Sequence, residues 1–460
     1  MSAEPAMPPT APAMSHAIPS ALGRRKFLAG AAAVCGAPLI LPAGRLFGAE
    51  TPAKQVNIAV IGCGSRATQV LLQNQPHSGV RFVAACDPFA DRAANFAKGL
   101  NAKYATDACK PYRDFREIIG SKEVDGIAVF TPDHWHVPVA FLAARNRKDM
   151  YVEKPLGIAM TWAWKLREEI TRSGVVFQYG TQQRSNRVFR QACDLVRNGY
   201  LGQIKSVDVW CPFLATATHV ALREEKVPEG FDYPLWTGPA TLHPYQPERV
   251  TNQGAWHCHN TAIGFIAGWG AHPLDICQWG LDMDHSGPVS FAGSGVVPEA
   301  EDELYDTTRQ WDIECAYASG VKMRFMDDAT AKPVVNAYLR ANHGHGTTFH
   351  GEEGWVCVDR DGMYSHDNNK LRKLEFKPTD KRLPVSDNHF DNYLESIRTR
   401  QQPVSPFEAA IRSDTISHLS EIVVRTKTPL TWDPKTEELT NPVPAQSALL
   451  DRPMREGFAI

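Results

Sequence analysis

Val-Asn-Ile-Ala-Val-Ile-Gly-Cys-Gly-Ser-Arg-Ala, residues 56–67, decides the fold of this 460-residue chain. It starts as a β-branched apolar run and breaks at Gly62. Gly62, Gly64 and Ala67 then stand at GxGxxA spacing. Gly62 permits a tight turn, Gly64 lets a pyrophosphate approach the backbone, and Ala67 lets the next helix pack close to its strand. Ser65 and Arg66 complete the turn. The spacing alone is weak, but here it follows a strand and opens a helix. Asp87 ends the next apolar run roughly 20 residues on, where a carboxylate would bind both ribose hydroxyls. Such a carboxylate repels a 2′-phosphate, so NAD is expected and NADP is disfavoured. Asp87 also suits an N-cap for a helix starting at Pro88.

Further strand-like runs follow at 80–87, 126–130, 149–155 and 175–180, separated by helix-like stretches at 67–74, 88–100, 137–145 and 161–173. Short apolar strands alternating with helices predict a parallel sheet covered on both faces, with right-handed crossovers and a doubly wound Rossmann order. Ligands bind outside the carboxyl ends of such strands, so Gly62, Asp87, Thr131 and Lys154 should line one edge. From Ile204 the strand-like runs crowd together (204–210, 289–297, 311–320, 321–327, 354–360). That predicts an α+β domain with an open mixed or antiparallel sheet, closed by helices at 390–398 and 406–425. The expected divisions are 1–49, 55–181, 182–434 and a tail, 435–460, expected to wrap a neighbour.

The start of the chain reads differently. Arg24-Arg25-Lys26-Phe27-Leu28-Ala29-Gly30 leads into an apolar run of small residues ending near Leu41. That run is roughly 14 residues, short of the ~20 needed to span a bilayer. Charged head, apolar stretch and small residues make an export signal, and the paired arginines suggest the twin-arginine type. The expectation is a periplasmic or otherwise exported product with the twin-arginine translocase as a transient partner and no stable membrane anchor. A net charge of −2 gives no electrostatic case for nucleic acid or anionic membrane. Ten scattered cysteines without a CxxC pair are no disulfide framework.

Three motifs carry a family resemblance: "TPDHWH" (131–136), "VEKPLG" (152–157) and "GWGAHPLDICQWG" (268–280). With the GxGxxA turn, the chain from about Val56 to about Pro434 resembles the Gfo/Idh/MocA oxidoreductases, the group of glucose–fructose oxidoreductase and inositol dehydrogenase. The resemblance implies a Rossmann domain, an open mixed sheet whose back forms a subunit interface in a homo-oligomer, a cis bond before Pro155, and Lys154 acting on a sugar hydroxyl. Thr131, Pro132, His136, Glu153 and Lys154 join Gly62, Gly64, Ser65, Arg66, Ala67 and Asp87 as the expected cofactor site.

The residue chemistry agrees. The Lys154 ammonium can orient a hydroxyl and stabilise developing oxyanion character. His272 is the main proton acceptor, with Pro273 setting a helix start at the cleft. Asp275, three residues on, is expected to orient that ring or to act as a first-turn carboxylate. One departure stands out. The family's dehydrogenases carry an aspartate four residues before the catalytic histidine, and here that position is Gly268. His257 and His259 are possible substitutes. His343, His345 and His350 sit among glycines that suggest a loop, and no metal is expected there. Trp210, Trp236, Trp256 and Trp269 are candidates to stack on a sugar, or core.

An exported enzyme must bring its NAD with it and restore it every cycle. The expected function is therefore an NAD-dependent oxidoreductase acting on a carbohydrate hydroxyl with a tightly bound, recycled cofactor. An NAD-dependent glycoside hydrolase working through a transient keto-sugar is the alternative. A binding protein that kept the fold and lost the chemistry is a third reading, which Gly268 keeps open.

Overall fold

The run ahead of Gly62 forms β1 (Val56–Ile61), with five of its six residues buried. The computed structural model of the chain describes residues 55–460 except 214–218, 252–253, 340–342 and 368. The export signal expected around Arg24–Gly30 lies outside the described residues. Parallel to β1 run β2 (Val80–Cys86), β3 (Lys110–Tyr112), β4 (Gly126–Val129), β5 (Asp149–Val152) and β6 (Phe177–Tyr179), in the order β3-β2-β1-β4-β5-β6. This is the doubly wound order, and the chain reverses direction across the sheet between β1 and β4, where a crevice opens. β3 was not foreseen: two of its three residues are exposed, so it carries no apolar signal. The helix after the glycine turn is α only over Ser65–Ala67 and becomes a π-helix over Thr68–Gln73.

The helix His389–Thr399 departs from expectation. Its place in the sequence assigned it to the second domain, but it packs on β1 and β5 of the first sheet. Phe390 and Tyr393 share a core cluster with Ile58 and Phe82. The Tyr393 hydroxyl lies 3.0 Å from the carbonyl oxygens of both Ile127 and Asp149. An apolar helix face does not encode which sheet it will cover.

The second sheet is mixed. Its strands are β7 (Ile204–Cys211), β8 (Pro288–Val296), β9 (Gln310–Tyr317), β10 (Lys322–Asp327), β11 (Gly346–Gly351), β12 (Gly354–Val358), β13 (Met363–Ser365), β14 (Leu430–Asp433) and β15 (Glu438–Thr440). They are ordered β13-β12-β11-β7-β10-β9-β8-β14-β15, with β7 and β10 parallel and the other pairs antiparallel. Helices Ala271–Gly280 and Phe407–Thr426 pack on each other and on this sheet. His343 and His345 lie outside a strand, but β11 corrects the loop expected at His350. Its glycines serve close packing: a Cβ on Gly346 would lie 2.6 Å from the Trp210 indole, and one on Gly351 would lie 2.1 Å from the Leu201 carbonyl oxygen.

The tail lies along its own chain. The carbonyl of Leu450 accepts from Met160 N and Thr161 N at 3.0 and 3.2 Å, and that of Arg452 accepts from the Trp162 indole at 3.0 Å. The nine cysteines among the described residues are buried and free. No helix among the described residues is long and apolar enough to cross a membrane.

Candidate active site at the strand ends

Gly62 has φ +88°, and a Cβ there would lie 2.6 Å from the backbone of Phe130, so only glycine fits. A Cβ on Gly64 would meet nothing within 4 Å. The floor of the turn is therefore open on the side where a pyrophosphate would sit. Ala67 is buried beneath the turn. Asp87 is buried and ties the two strand ends together, its Oδ2 accepting from Cys63 N and its Oδ1 from Phe89 N, both at 2.9 Å. Burial pushes its carboxyl upward, against Arg92 and these two donors.

The cleft lined by Gly62, Gly64, Ser65, Arg66 and Asp87 continues past Thr131, Pro132 and His136 to Glu153, Lys154 and His272. The His136 ring is held between two carbonyls, with Nδ1 2.6 Å from Pro155 O and Nε2 2.9 Å from Thr131 O. It braces the corner, with both ring nitrogens facing backbone carbonyls. The Lys154–Pro155 bond is cis. Glu153 Oε1 accepts from Arg66 Nε at 2.9 Å, Gln182 Nε2 at 2.8 Å and the Tyr151 hydroxyl at 3.1 Å, and Oε2 accepts from Lys154 N at 3.3 Å. Its role is to fix Arg66 in the glycine turn. The Thr131 hydroxyl is buried without a partner among the described residues. The open floor at Gly64, the Asp87 carboxylate and this orphaned hydroxyl fit a nicotinamide dinucleotide.

Lys154 donates to the carbonyl of Gly268 at 2.7 Å and lies 5.3 Å over the Trp256 ring. Burial lowers its pKa, while Glu153 and Asp133 raise it. So Gly268, where the family resemblance led to an expected aspartate, offers Lys154 a backbone oxygen, and a Cβ there would meet nothing within 4 Å. His272 is buried, its Nδ1 lacks a partner among the described residues, and its ring stands edge-on to Trp269 at 5.7 Å. Burial, then Lys154 and Arg360, hold its pKa well below the usual histidine value. The ring is thus neutral near pH 7, the form that accepts a proton.

Asp275 does not orient this ring. Its two oxygens accept from Arg184 at 2.7–3.0 Å, and Asp284 takes the other side of the same guanidinium at 2.7 and 2.8 Å. Asp275 is a buried structural counter-ion, placed by a partner 91 residues away. His257 and His259 also stay outside the cleft: His257 packs against Phe265 and Tyr305, and His259 meets Glu421 at 3.2 Å. Trp210 is core, whereas Trp236, Trp256 and Trp269 line the cleft. The fold does bring two carboxylates to His343, with ligand atoms of His343, Asp359 and Asp361 within 4.8 Å of one another. Asp359 spends Oδ1 on the turn N–H groups of Asp361 and Gly362 at 2.8 and 2.9 Å.

Asp133 was missed. It opens the helix Asp133–Arg145 inside the quoted "TPDHWH", lines the cleft, and is buried. Oδ1 accepts from the Trp256 indole at 3.2 Å, and Oδ2 has no partner among the described residues. Burial, opposed chiefly by Lys154, pushes its pKa up to about 7.

Fold and cleft together define a dinucleotide-binding protein of the oxidoreductase type. Residues 56–181 match a family model described as "Oxidoreductase family, NAD-binding Rossmann fold", and residues 207–460 match "Oxidoreductase family, C-terminal alpha/beta domain". The chain belongs to the Gfo/Idh/MocA family. It is 33% identical over 161 residues (32% of this chain, 33% of the relative) to a glycosyl hydrolase family 109 protein of Saccharopolyspora erythraea. It is 28% identical over 153 residues (32% and 42%) to scyllo-inositol 2-dehydrogenase (NAD(+)) of Bacillus subtilis. The chain thus spans 33% to 42% of the length of these two curated relatives. Its fold is that of aldose-aldose oxidoreductase from Caulobacter crescentus complexed with glycerol (TM-score 0.56, 16% identity, 82% of this chain, 99% of that one). It is also that of GenD2 from gentamicin A biosynthesis in complex with NAD (TM-score 0.58, 16% identity, 84% and 99%).

Proposed function

We propose that this chain is an exported oxidoreductase that retains NAD and acts on a hydroxyl of a sugar or sugar derivative. The observation that carries the reading is that Lys154 and a neutral His272 reach the same cleft as the glycine turn and Asp87. When bound, the dinucleotide supplies the hydride acceptor. Lys154, with its ammonium already aimed along the cleft wall, orients the reacting hydroxyl and stabilises the oxygen as charge develops on it. His272 takes the hydroxyl proton on its ring. Trp256 and Trp269 offer apolar faces to a pyranose, and the Asp87 carboxylate selects NAD against NADP.

The twin-arginine signal supports retention of the nucleotide. That route carries folded proteins, and outside the cytoplasm no free NAD pool restores the cofactor. Each cycle therefore returns the nucleotide to its starting state, by oxidising one sugar and reducing another. A second reading, glycoside hydrolysis through a transient keto-sugar, is favoured by the relative named glycosyl hydrolase family 109 protein. The family resemblance supports a homo-oligomer.

The test uses protein exported by a host with a working twin-arginine pathway, denatured and analysed for released nucleotide by mass spectrometry. Near-stoichiometric NAD or NADH is expected. Folded protein free of nucleotide would overturn the retained-cofactor reading. Lys154→Ala is expected to keep the nucleotide and lose turnover of any sugar the wild type converts.

A further inference from the structure

The site as assembled has an unusual charge pattern around Lys154. Its direct hydrogen-bond acceptor is the Gly268 carbonyl, a neutral group. Glu153, its chain neighbour, raises the Lys154 pKa, but its carboxylate is shared with Arg66, Tyr151 and Gln182, and it bonds Lys154 only at the backbone N–H, at 3.3 Å. Arg66 and Arg360, both cationic, act on Lys154 from the glycine turn and from the turn between β12 and β13. His272 faces it from the helix Ala271–Gly280. An ammonium in this setting, buried and with cations on two sides, tends to lose its proton.

Asp133 faces the same spot, and Lys154 is the cation that acts on it most strongly among the described residues. Trp256 joins the two groups: its indole N–H donates to Asp133 Oδ1, and its ring lies under the Lys154 ammonium. The remaining oxygen, Oδ2, is buried and unpartnered among the described residues. Leaving a buried acceptor unmet is costly, so a carboxylate kept in such a place calls for a compensating role. Asp414, from the helix Phe407–Thr426, adds negative charge near it and does not neutralise it.

We propose that Asp133 supplies the carboxylate that position 268 lacks, holding Lys154 in its charged, hydrogen-bond-donating form. Asp133 is a positioning residue that acts, in its own ionised form, through Lys154; that form prevails above about pH 7. The inference rests on the reading of Lys154 as the group that handles the hydroxyl, but its test does not depend on turnover.

The experiment is NMR of the full exported protein labelled with ε-15N lysine, with Lys154 assigned from the signal lost in Lys154→Met. Its titration is followed in the wild type, Asp133→Asn, and Asp133→Asn combined with Gly268→Asp. Loss of a nearby opposite charge lowers an ammonium pKa, so Asp133→Asn is expected to lower the Lys154 midpoint by about one unit, the low end of the range for close charge pairs. Gly268→Asp, entering open space beside the Lys154 ammonium, is expected to raise it again. A merely structural Asp133 would lower the melting temperature without moving this midpoint, and that result would overturn the proposal. So would a midpoint that falls and is not recovered by Gly268→Asp. If Asp133→Asn does not fold, 13C-carboxyl spectra of the wild type decide: Asp133 and Lys154 titrating as a coupled pair support the proposal, and independent titration overturns it. A protein whose Lys154 behaves as expected yet converts no sugar would refute the functional reading alone.

Discussion

Replacing Asp275 by asparagine separates a structural carboxylate from a catalytic one. Arg184 is essentially without solvent access, with its side chain 1% exposed, and Asp275 is fully buried at 0%. The substitution takes one of two carboxylates from this guanidinium. Asp284 remains, 22% exposed and therefore closer to water, as do the Val404 carbonyl at 3.3 Å and the Trp279 ring at 5.1 Å. Removing one partner of a buried pair costs about 3–5 kcal/mol. Because asparagine keeps one acceptor and Asp284 stays, the lower end, about 3 kcal/mol, is expected. At ~2–4 °C per kcal/mol for a large domain, the melting temperature should fall by about 6–12 °C. Guanidinium denaturation with and without added NAD reads the loss directly. Turnover per folded molecule, measured well below the melting temperature, should stay within a few-fold of wild type. A variant that melts like the wild type but loses turnover, or shifts the titration of His272, would refute the assignment and return Asp275 to the ring it was expected to orient.

Other outcomes follow from the same geometry. Asp133, pushed up to about 7 by burial, binds a proton in the folded protein over a range where the unfolded chain has released it. Stability from this group is therefore lost as pH rises from about 4 to about 7, and Asp133→Asn should flatten that part of the stability–pH curve measured by denaturant titration. Asp87→Ser removes the carboxylate expected to bind the ribose and one anchor of the glycine turn. NADH affinity, read by its fluorescence, should fall by about tenfold or more, a loss of ~1.4 kcal/mol, while NADPH affinity rises. Gly62→Ala forces a Cβ into the Phe130 backbone at positive φ, so a loss of several kcal/mol in stability together with loss of NADH binding is expected.

Features written in short stretches were legible. The glycine turn, the five strands read in the first half and the Glu-Lys-Pro corner each depend on neighbours within a few residues, so spacing and apolar runs suffice to place them. What failed depended on distant partners. Asp275 shares a helix with His272, and nothing in that helix announces Arg184. The glycines of β11 have the composition of a loop, and only the Trp210 indole and the Leu201 carbonyl explain them as points of close approach. Asp133 was visible inside a quoted motif, but a carboxylate at a helix start ordinarily answers the helix dipole. Its burial against Trp256, 123 residues on, turns it into part of the site. Histidine invited too much attention for the same reason: composition marks it as reactive, and only packing shows that His136 is braced and His257 and His259 stand apart.

The return of the helix His389–Thr399 to the first sheet sets an order of events during synthesis. A ribosome that has made residues 55–181 has delivered every strand of that sheet and every glycine of its turn, yet the face holding Ile58 and Phe82 still lacks Phe390 and Tyr393. The nascent half-protein must carry that apolar surface uncovered through some two hundred further residues of elongation. Cofactor capture by a rigid cleft is thereby deferred until translation has all but ended, and a fragment cut at the apparent domain boundary should aggregate, not bind.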